Sequence, residues 1–376
     1  MGSARPVICI YVHALAATGV VRNARLIAAD LALAGHDVQL VTALPGGEGV
    51  AGVPHHALLP GAGCSRLREK VDAAIALHRH LRTHRPRLLI SAGNHGHGTV
   101  WAGSLGMRGM KRLYRISNDI MRRVPTAPSG RWTRWARTGM ARLIAADAAH
   151  LVFVSPTLSD TPAFAAAERA GRVTVIANGI DKAAARRRIG DVVPHPWLGG
   201  DRPVLLAIGR LAPQKNFDTL LRAFALVRRH RPARLVLLGE SRDDARARLL
   251  AQARHLGIAD DLALPGTVAN VFPWLARCDA FVLPSWWEGS ANVLLEAMAV
   301  GAPCVASISA GNAGQLLEDG RYGRLFDPAD ADAMALAMMK QIDPAMQLRP
   351  QERIDAFGMD AVTRSWRDVV DRLLAT

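Results

Sequence analysis

The stretch LAIGRLAPQKNF, residues 206–217, joins an apolar strand to a helix through a short loop that carries two cations. The strand ends in Gly209 and Arg210, and Lys215 stands just before the helix. In parallel α/β sheets, ligands bind at the carboxyl ends of strands, which is where this loop lies. Arg offers forked donors and Lys a mobile charge, so the pair suits a diphosphate. The same residues also fit a loop whose two cations are simply solvated.

Strand and helix patterns alternate outward from this stretch in both directions. A strand, a helix and a further strand in succession predict a parallel sheet, because the crossover returns the chain to the same edge. The pattern restarts near residue 200, so we predict an α/β fold with two doubly wound Rossmann-like domains. The predicted strands are 7–12, 37–43, 87–91, 112–116, 151–154, 173–176, 203–208, 234–238, 262–264, 280–283 and 303–306, and the predicted helices are 20–34, 64–83, 130–146, 217–229, 243–255, 272–276, 292–300 and 361–374.

The length of 376 residues favours two domains over one core. The predicted boundary lies within 178–200, which contains Asn178-Gly179-Ile180-Asp181 and the breaker Pro194-His195-Pro196. We therefore place the domains at 1–182 and 183–358. The remaining residues, 359–376, are expected to form a helix that packs back on the first domain.

The composition is that of a soluble globular protein, with 50% hydrophobic and 21% charged residues. There is no apolar run long enough for a membrane helix and no signal-peptide pattern, so the chain is expected to be cytoplasmic. The four cysteines form no CxxC pair and no zinc-like cluster, and Cys9 and Cys304 are expected in the core. The net charge of +15 favours anionic ligands or surfaces.

A second informative stretch, LPSWWEGSANVLLEAMAVGAP, occupies residues 283–303. Its segment 289–291 is expected to expose backbone N–H groups at a helix N-terminus, which binds phosphate well. Glu296, about one turn into that helix, is suited to accept hydrogen bonds from a ribose diol. Glu288 lies in the loop and is expected to face a sugar ring. Each glutamate alone also fits a simpler role, as a helix cap or on a helix surface.

Taken together, the two stretches resemble the retaining glycosyltransferases of family four, which have the GT-B fold. The matching residues are Gly209-Arg210-Leu211, Gln214-Lys215-Asn216, Glu288-Gly289 and 292–301, with further matches at 237–240, 264–268 and 178–181. The resemblance covers nearly the whole chain and is strongest from about 176 to 330. It implies two Rossmann-like domains facing across a cleft, with the acceptor on the first and the nucleotide sugar on the second.

The resemblance also implies a role for each matching residue. Arg210 and Lys215 would neutralise the diphosphate leaving group, so that no metal is implied. Glu296 would hold the nucleotide ribose, and Glu288 would contact the donor sugar. Further contacts to the donor are implied for Gly209, Val268, Gly289, Ser290, Ala291, Asn292 and Val293, and from the first domain for Gly19.

The first domain departs from the family pattern in two places. Its first loop has a single Gly19 where family members often carry a Gly-Gly pair. Many members have a His after the strand at 112–116, and here Ser117 or Asn118 takes that place near the reacting sugar. His95 follows another predicted strand on the same side and is a candidate for the site. A loop histidine without a role and an ordinary turn at Ser117-Asn118 remain alternatives.

The segment from Arg108 to Arg142 has ten Lys or Arg against one acid, Asp119, a net charge of +9. Trp132 and Trp135 are interleaved with its arginines, as in helices that bind anionic bilayers. The segment 108–142 is therefore a candidate for peripheral contact with the inner membrane surface, or for receiving an anionic acceptor. The alternative is a solvated basic helix whose tryptophans pack in the core.

The resulting hypothesis is transfer of a hexose from a UDP- or GDP-sugar to a glycan or lipid-linked acceptor, with retention of configuration, in polysaccharide or lipopolysaccharide synthesis. The nucleotide sugar is a co-substrate, and no other cofactor is implied. Front-face substitution is favoured, because no carboxylate is clearly placed as a nucleophile. The alternatives are a sugar-nucleotide epimerase of the same fold and a non-enzymatic basic membrane-surface protein. The absence of GxGxxG argues against a dinucleotide oxidoreductase, and nothing resembles a nucleic-acid module.

Overall fold

The computed structural model describes residues 6–16, 18–120, 130–241 and 244–375. Of these, the residues before 121, those at 130–178 and those from Val362 onward form one compact unit. The residues at 179–361 form a second. Each unit contains one parallel sheet, as the crossover argument predicts.

The first unit is built on a seven-stranded sheet in the order β3-β2-β1-β4-β5-β6-β7, and every pairing is parallel. Its central strands have fully buried apolar side chains, because helices cover both faces. The strands are β1 (Val7–Val12), β2 (Asp37–Thr42), β3 (His55–Ala57), β4 (Leu88–Ser91), β5 (Lys111–Ile116), β6 (His150–Phe153) and β7 (Val173–Val175).

Within the described residues of the first unit, six helices connect these strands. Two of them begin at hydroxyl caps, because the Thr18 and Ser65 side chains accept hydrogen bonds from the N–H groups of Val21 and Arg68. The helices are α1 (Gly19–Leu33), α2 (Arg66–His84), α3 (His97–Gly103), α4 (Arg131–Asp147), α5 (Pro156–Ser159) and α6 (Ala165–Arg169).

The second unit has a six-stranded parallel sheet in the order β10-β9-β8-β11-β12-β13. This order reverses direction beside its first strand, as in dinucleotide-binding folds, and places the β8 loop at the switch point. The elements are α7 (Lys182–Arg187), β8 (Val204–Ile208), α8 (Phe217–His230), β9 (Arg234–Leu238), α9 (Ala245–His255), β10 (Leu262–Gly266), α10 (Phe272–Leu275), β11 (Ala280–Leu283), α11 (Asn292–Ala299), β12 (Cys304–Ser307), α12 (Ala313–Leu317), β13 (Arg324–Phe326) and α13 (Ala331–Gln341).

The last helix, α14 (Met359–Ala375), returns to the first unit. Trp366, Val369 and Val370 are buried in the same cluster as the β1 and α1 side chains. An ion pair between Arg367 and Asp30 of α1, 3.0 Å long, lies beside this contact. The amphipathic pattern at 361–374 thus marks a helix that completes the first core.

The α/β fold with two Rossmann-like parallel sheets is confirmed. Every predicted strand and helix is present, with ends shifted by a few residues, and Cys9 and Cys304 are buried. The sequence analysis missed the short edge strands β3 and β13. It also missed the helix α3, which begins at His97 inside the segment taken as a loop, and the helices α5, α6, α7, α12 and α13. In the described residues, no helix is both long enough and apolar enough to span a bilayer.

Candidate active site

The loop after β8 lies against the loop after β9 with no room for a side chain between them. Gly209 N–H donates to Leu238 O at 2.8 Å, and Leu211 N–H donates to Glu240 O at 2.8 Å. A Cβ on Gly239, whose φ is +153°, would lie 1.9 Å from Gly209 O. The contact fixes the backbone that presents Arg210, whose side chain is exposed.

Lys215 and Glu288 form the central ion pair of the second unit. Lys215 Nζ lies 2.6 Å from Glu288 Oε1, and both side chains are less than 15% exposed. The pair joins the loop after β8 to the loop after β11, two neighbouring strands whose carboxyl ends meet at one edge. Gly209 leaves space for the lysine, because a Cβ there would lie 2.7 Å from Lys215 Cε. Two residues chosen from separate motifs are therefore in contact.

Two side chains that the sequence analysis did not select also hold Glu288. Ser285 donates its hydroxyl to Glu288 Oε1 at 2.6 Å. The Gln214 amide donates to Trp287 O at 2.8 Å and lies 3.5 Å from Glu288 Oε2. Gln214 could have been selected from the sequence, because it is adjacent to Lys215 in the same loop. Ser285 had no feature that distinguished it from other residues at strand ends.

Asn216 fastens the start of α8 beneath this pair. Its φ of +56° is left-handed, a conformation that Asn tolerates better than most residues. Its buried amide donates to Pro284 O at 3.1 Å and to Pro328 O at 2.8 Å. Asn216 therefore ties the loop after β8 to the ends of β11 and β13.

The N-terminus of α11 is less open than expected. Ala291 N–H donates to Asn312 Oδ1 at 3.1 Å, and Asn292 N–H donates to Ser290 O at 2.9 Å. Both N–H groups are already used, because the loop folds back on itself and on Asn312. Asn312 was missed, since its contact joins positions 21 residues apart.

The remaining predicted donor contacts lie on the same edge of the second sheet. Glu296 is on α11, one turn beyond Asn292, and is half-buried. Gly289 is buried, whereas Ser290 and Val293 are half-buried. Val268 is half-buried in the loop after β10, two strands away from β8. The arrangement offers a backbone wall, two cations and two carboxylates at the carboxyl ends of parallel strands.

In the first unit, the predicted residues likewise follow the carboxyl ends of strands. Gly19 is the exposed first residue of α1. The Asn94 amide donates to Asn118 O at 2.8 Å, and its oxygen accepts from Ser117 N at 2.9 Å. Asn94 thereby holds Ser117 and Asn118 in one conformation, and His95 beside it is exposed.

The side chains of His97 and Arg115 are buried beneath this edge. His97 Nδ1 lies 2.7 Å from Ser91 Oγ, and the ring is edge-on to Tyr114. Arg115 donates to Asn178 Oδ1 at 2.7 Å and to Ala92 O at 3.2 Å. Burial lowers the pKa of Arg115 to about 10. Asn178 of the junction motif therefore anchors the end of β5.

Burial also lowers the pKa of His97 to about 3, and the charges of Arg115 and His95 add to this effect. We expect His97 to reduce the stability of the fold in acid. Its folded pKa is below the unfolded value of 6.5, so the unfolded chain binds more protons between these values and stability falls as the pH drops below 6.5. The contribution reaches about 3 kcal/mol near pH 4.

Urea denaturation at pH 7 and pH 4 of the wild type and of His97→Gln measures this effect. The variant is expected to lose less stability on acidification, whatever its stability at pH 7. An equal loss in the two proteins would show that His97 is not buried in its neutral form.

The two tryptophans of helix α4 are exposed to solvent, contrary to the interpretation that they pack in the core. Trp132 is 81% exposed and Trp135 is 74% exposed. Only the second half of the helix packs on the core, through Ala141, Ile144 and Ala145. The interpretation of these tryptophans as core residues is therefore wrong. Arg122 and Arg123 of the basic segment lie outside the described residues.

Family models match both halves of the chain. Residues 17–184 match Glycosyltransferase Family 4, and residues 202–343 match Glycosyl transferases group 1. Together these two models span most of the sequence. The second range contains the ion pair of Lys215 and Glu288.

Three curated relatives are similar to part of the chain. Mannosylfructose-phosphate synthase of Agrobacterium fabrum is 33% identical over 47% of this chain and 41% of the relative. D-inositol 3-phosphate glycosyltransferase of Thermobispora bispora is 36% identical over 52% of this chain and 47% of the relative. Lipopolysaccharide core biosynthesis glycosyltransferase LpsE of Rhizobium meliloti is 32% identical over 44% and 49%. The chain thus spans less than half the length of these relatives.

Solved structures resemble the fold over nearly its whole length. Sucrose-phosphate synthase from Thermosynechococcus elongatus superposes with a TM-score of 0.79 at 21% identity, covering 99% of this chain and 100% of that one. Anabaena HepE in complex with UDP and glucose gives a TM-score of 0.77 at 19% identity, covering 98% and 100%. The chain belongs to the family-four glycosyltransferases with the GT-B fold.

Proposed function

We propose that this chain transfers a hexose from a UDP- or GDP-sugar to a glycan or lipid-linked acceptor, with retention of configuration and without a metal. The observation that carries the proposal is the partly buried ion pair of Lys215 and Glu288, whose lysine lies in the same loop as the exposed Arg210. At the carboxyl ends of β8 and β11, Arg210 and Lys215 would supply cations for a diphosphate, and Glu288 would supply a carboxylate for a sugar hydroxyl. Glu296 would accept hydrogen bonds from the ribose.

The proposed roles of Arg210 and Lys215 follow from where negative charge develops during the reaction. As the glycosidic bond breaks, negative charge grows on the diphosphate, and fixed cations stabilise this state more than the ground state. Arg210 and Lys215 would fill the place of a divalent ion. Lys215 is held by Glu288 before any ligand arrives, so the cation needs little reorganisation. Front-face attack by the acceptor, beside the departing diphosphate, accounts for retention without a nucleophilic carboxylate.

The acceptor class is supported by the printed activities of the relatives and by the first unit. A lipopolysaccharide core biosynthesis glycosyltransferase is among the similar proteins. The loops that carry Gly19, His95, Ser117 and Asn118 lie at the carboxyl ends of the first sheet and would receive the acceptor. The transfer would be one step in the synthesis of a polysaccharide or lipopolysaccharide.

A thermal-shift screen with UDP, GDP, ADP and their sugars tests the donor. We expect a uridine or guanosine diphosphate to raise Tm, because a ligand that binds only the folded state stabilises it. The Glu296→Gln variant should lose much of this shift. A shift with none of the nucleotides would contradict the proposal, and C2 epimerisation without transfer would favour the epimerase alternative.

We also propose peripheral contact with an anionic membrane through 108–142. The exposed Trp132 and Trp135, with Arg131 and Arg134 on the same helical segment, supply an apolar and a cationic component. The Trp132→Ser/Trp135→Ser variant should bind anionic vesicles more weakly than the wild type in sedimentation at low salt. Wild-type protein that stays in the supernatant would refute this part.

A further inference from the structure

A pocket of about 520 Å³ in the first unit is lined by four arginines, Arg82, Arg85, Arg87 and Arg108. We call it the arginine pocket. No Asp or Glu is among its described lining residues. All four arginines are exposed, so their charges face solvent across one concavity. This concentration of cations has no part in the proposed transfer.

The arginine pocket lies at the edge of the first sheet opposite the candidate acceptor loops. Arg87 immediately precedes β4, and Arg108 lies in the loop that leads into β5. Arg82 and Arg85 are at the end of α2. The amino ends of β4 and β5 therefore border this pocket, whereas Gly19, the 94–95 turn and 117–118 follow carboxyl ends.

Local structure does not account for the cations. The C-terminal ends of α2 and α3 attract positive charge, but each helix end is equivalent to only about half an elementary charge. Four guanidinium charges exceed this. Arg85 also ends α2 with a φ of +44°, where Gly or Asn is usual. The excess charge favours an anionic ligand.

An apolar groove of about 510 Å³ adjoins the arginine pocket. His78 lines both cavities, so the two adjoin at α2. Val71 and Ile75 line the groove and are 50% and 49% exposed, and Gly98 of α3 contributes to its lining. An uncovered apolar surface next to four cations has the chemistry that an anionic amphiphile would complement.

The groove also continues towards the exposed tryptophans. Helix α3 packs against α2 and against α4. A Cβ on Gly98 would lie 3.8 Å from Met140 Cε of α4, so the groove lining borders that helix. A bilayer surface is broad enough to meet all three helices, which a small soluble anion is not.

We propose that the arginine pocket and the apolar groove together bind a phospholipid of an anionic membrane. The head-group phosphate lies among Arg82, Arg85, Arg87 and Arg108, and hydrocarbon covers Val71 and Ile75. Guanidinium groups suit phosphate because they donate paired, parallel hydrogen bonds. The site lies apart from the predicted donor residues and from Gly19, His95, Ser117 and Asn118. It rests on the proposed membrane contact of 108–142 and specifies its ligand, and vesicle binding detects it without any sugar transfer.

Sedimentation of the full chain with vesicles tests the proposal. Equal parts of phosphatidylglycerol and phosphatidylcholine form the anionic vesicles, and phosphatidylcholine alone forms the neutral ones. Arg82→Gln/Arg108→Gln should weaken binding to anionic vesicles about thirtyfold, since each arginine at such a surface contributes about 1 kcal/mol. Val71→Asn/Ile75→Asn should weaken it about tenfold through lost apolar burial. The control Arg248→Gln/Arg254→Gln removes two exposed cations of α9 and should bind as the wild type does.

Three results would overturn the proposal. The first is equal binding of the wild type to neutral and anionic vesicles. The second is binding by Arg82→Gln/Arg108→Gln that matches the control. The third is a Tm increase with soluble glycerol phosphate while vesicles remain unbound, which would identify a free phosphate ester as the ligand. Sugar transfer that fails in every variant would count against the proposed function and not against this site.

Discussion

Replacing Lys215 with Ala lowers kcat for sugar transfer by about a hundred- to a thousandfold, the usual effect of removing one preorganised electrostatic donor. The loss falls mainly on kcat, because the leaving diphosphate carries more charge in the transition state than in the bound donor. Release of nucleoside diphosphate from the donor sugar in the presence of acceptor measures the rate. Lys340→Ala, on α13 of the same unit, is the matched control and should transfer at the wild-type rate.

The ion pair with Glu288 requires a second measurement. Lys215 lies 2.6 Å from Glu288 Oε1, so its removal also leaves a carboxylate without its cation. If Lys215 served only to hold Glu288, the double variant Lys215→Ala/Glu288→Gln would regain activity over Lys215→Ala. If Lys215 acts on the diphosphate, the double variant stays at least as slow. Recovery, or near wild-type transfer by Lys215→Ala, would refute the assigned role.

The fold was predictable where local pattern and burial agree. Val7–Val12 and Ala280–Leu283 are apolar runs that become buried central strands. The strand His55–Ala57 has only three residues and little apolar character, and it exists because it pairs with the edge of β2. Its formation depends on tertiary context, which local periodicity does not contain.

The candidate site was predictable to the extent that it lies in short, contiguous motifs. Lys215 and Glu288 were chosen separately, and the structure brings the two stretches into contact. Asn312 could not be predicted from the sequence, because only folding brings it into contact with Ala291. Trp132 and Trp135 were ambiguous for another reason. Helical spacing is the same for a core face and an exposed face, and only the presence of a covering element decides between them.

The close contact between the loops after β8 and β9 gives the second large expected effect. A Cβ on Gly239 would meet Gly209 O at 1.9 Å and Gly209 C at 2.6 Å. Both atoms belong to the backbone, so no flexible side chain can move aside. With Gly239→Ala the loops must separate, which breaks the hydrogen bond from Leu211 to Glu240 and displaces Arg210. We expect about 3 kcal/mol or more of destabilisation, together with a large loss of kcat/KM.

Gly257 provides the control for the backbone conformation of Gly239. Its φ of +70° also disfavours a side chain, but nothing lies within 4 Å of an added Cβ. Gly257→Ala therefore carries only the dihedral cost, about 1 kcal/mol, and should keep its activity. Thermal denaturation and transfer rates of both variants separate the dihedral cost from the contact. Equal melting of the two variants, with full transfer by Gly239→Ala, would show that this contact does not position Arg210.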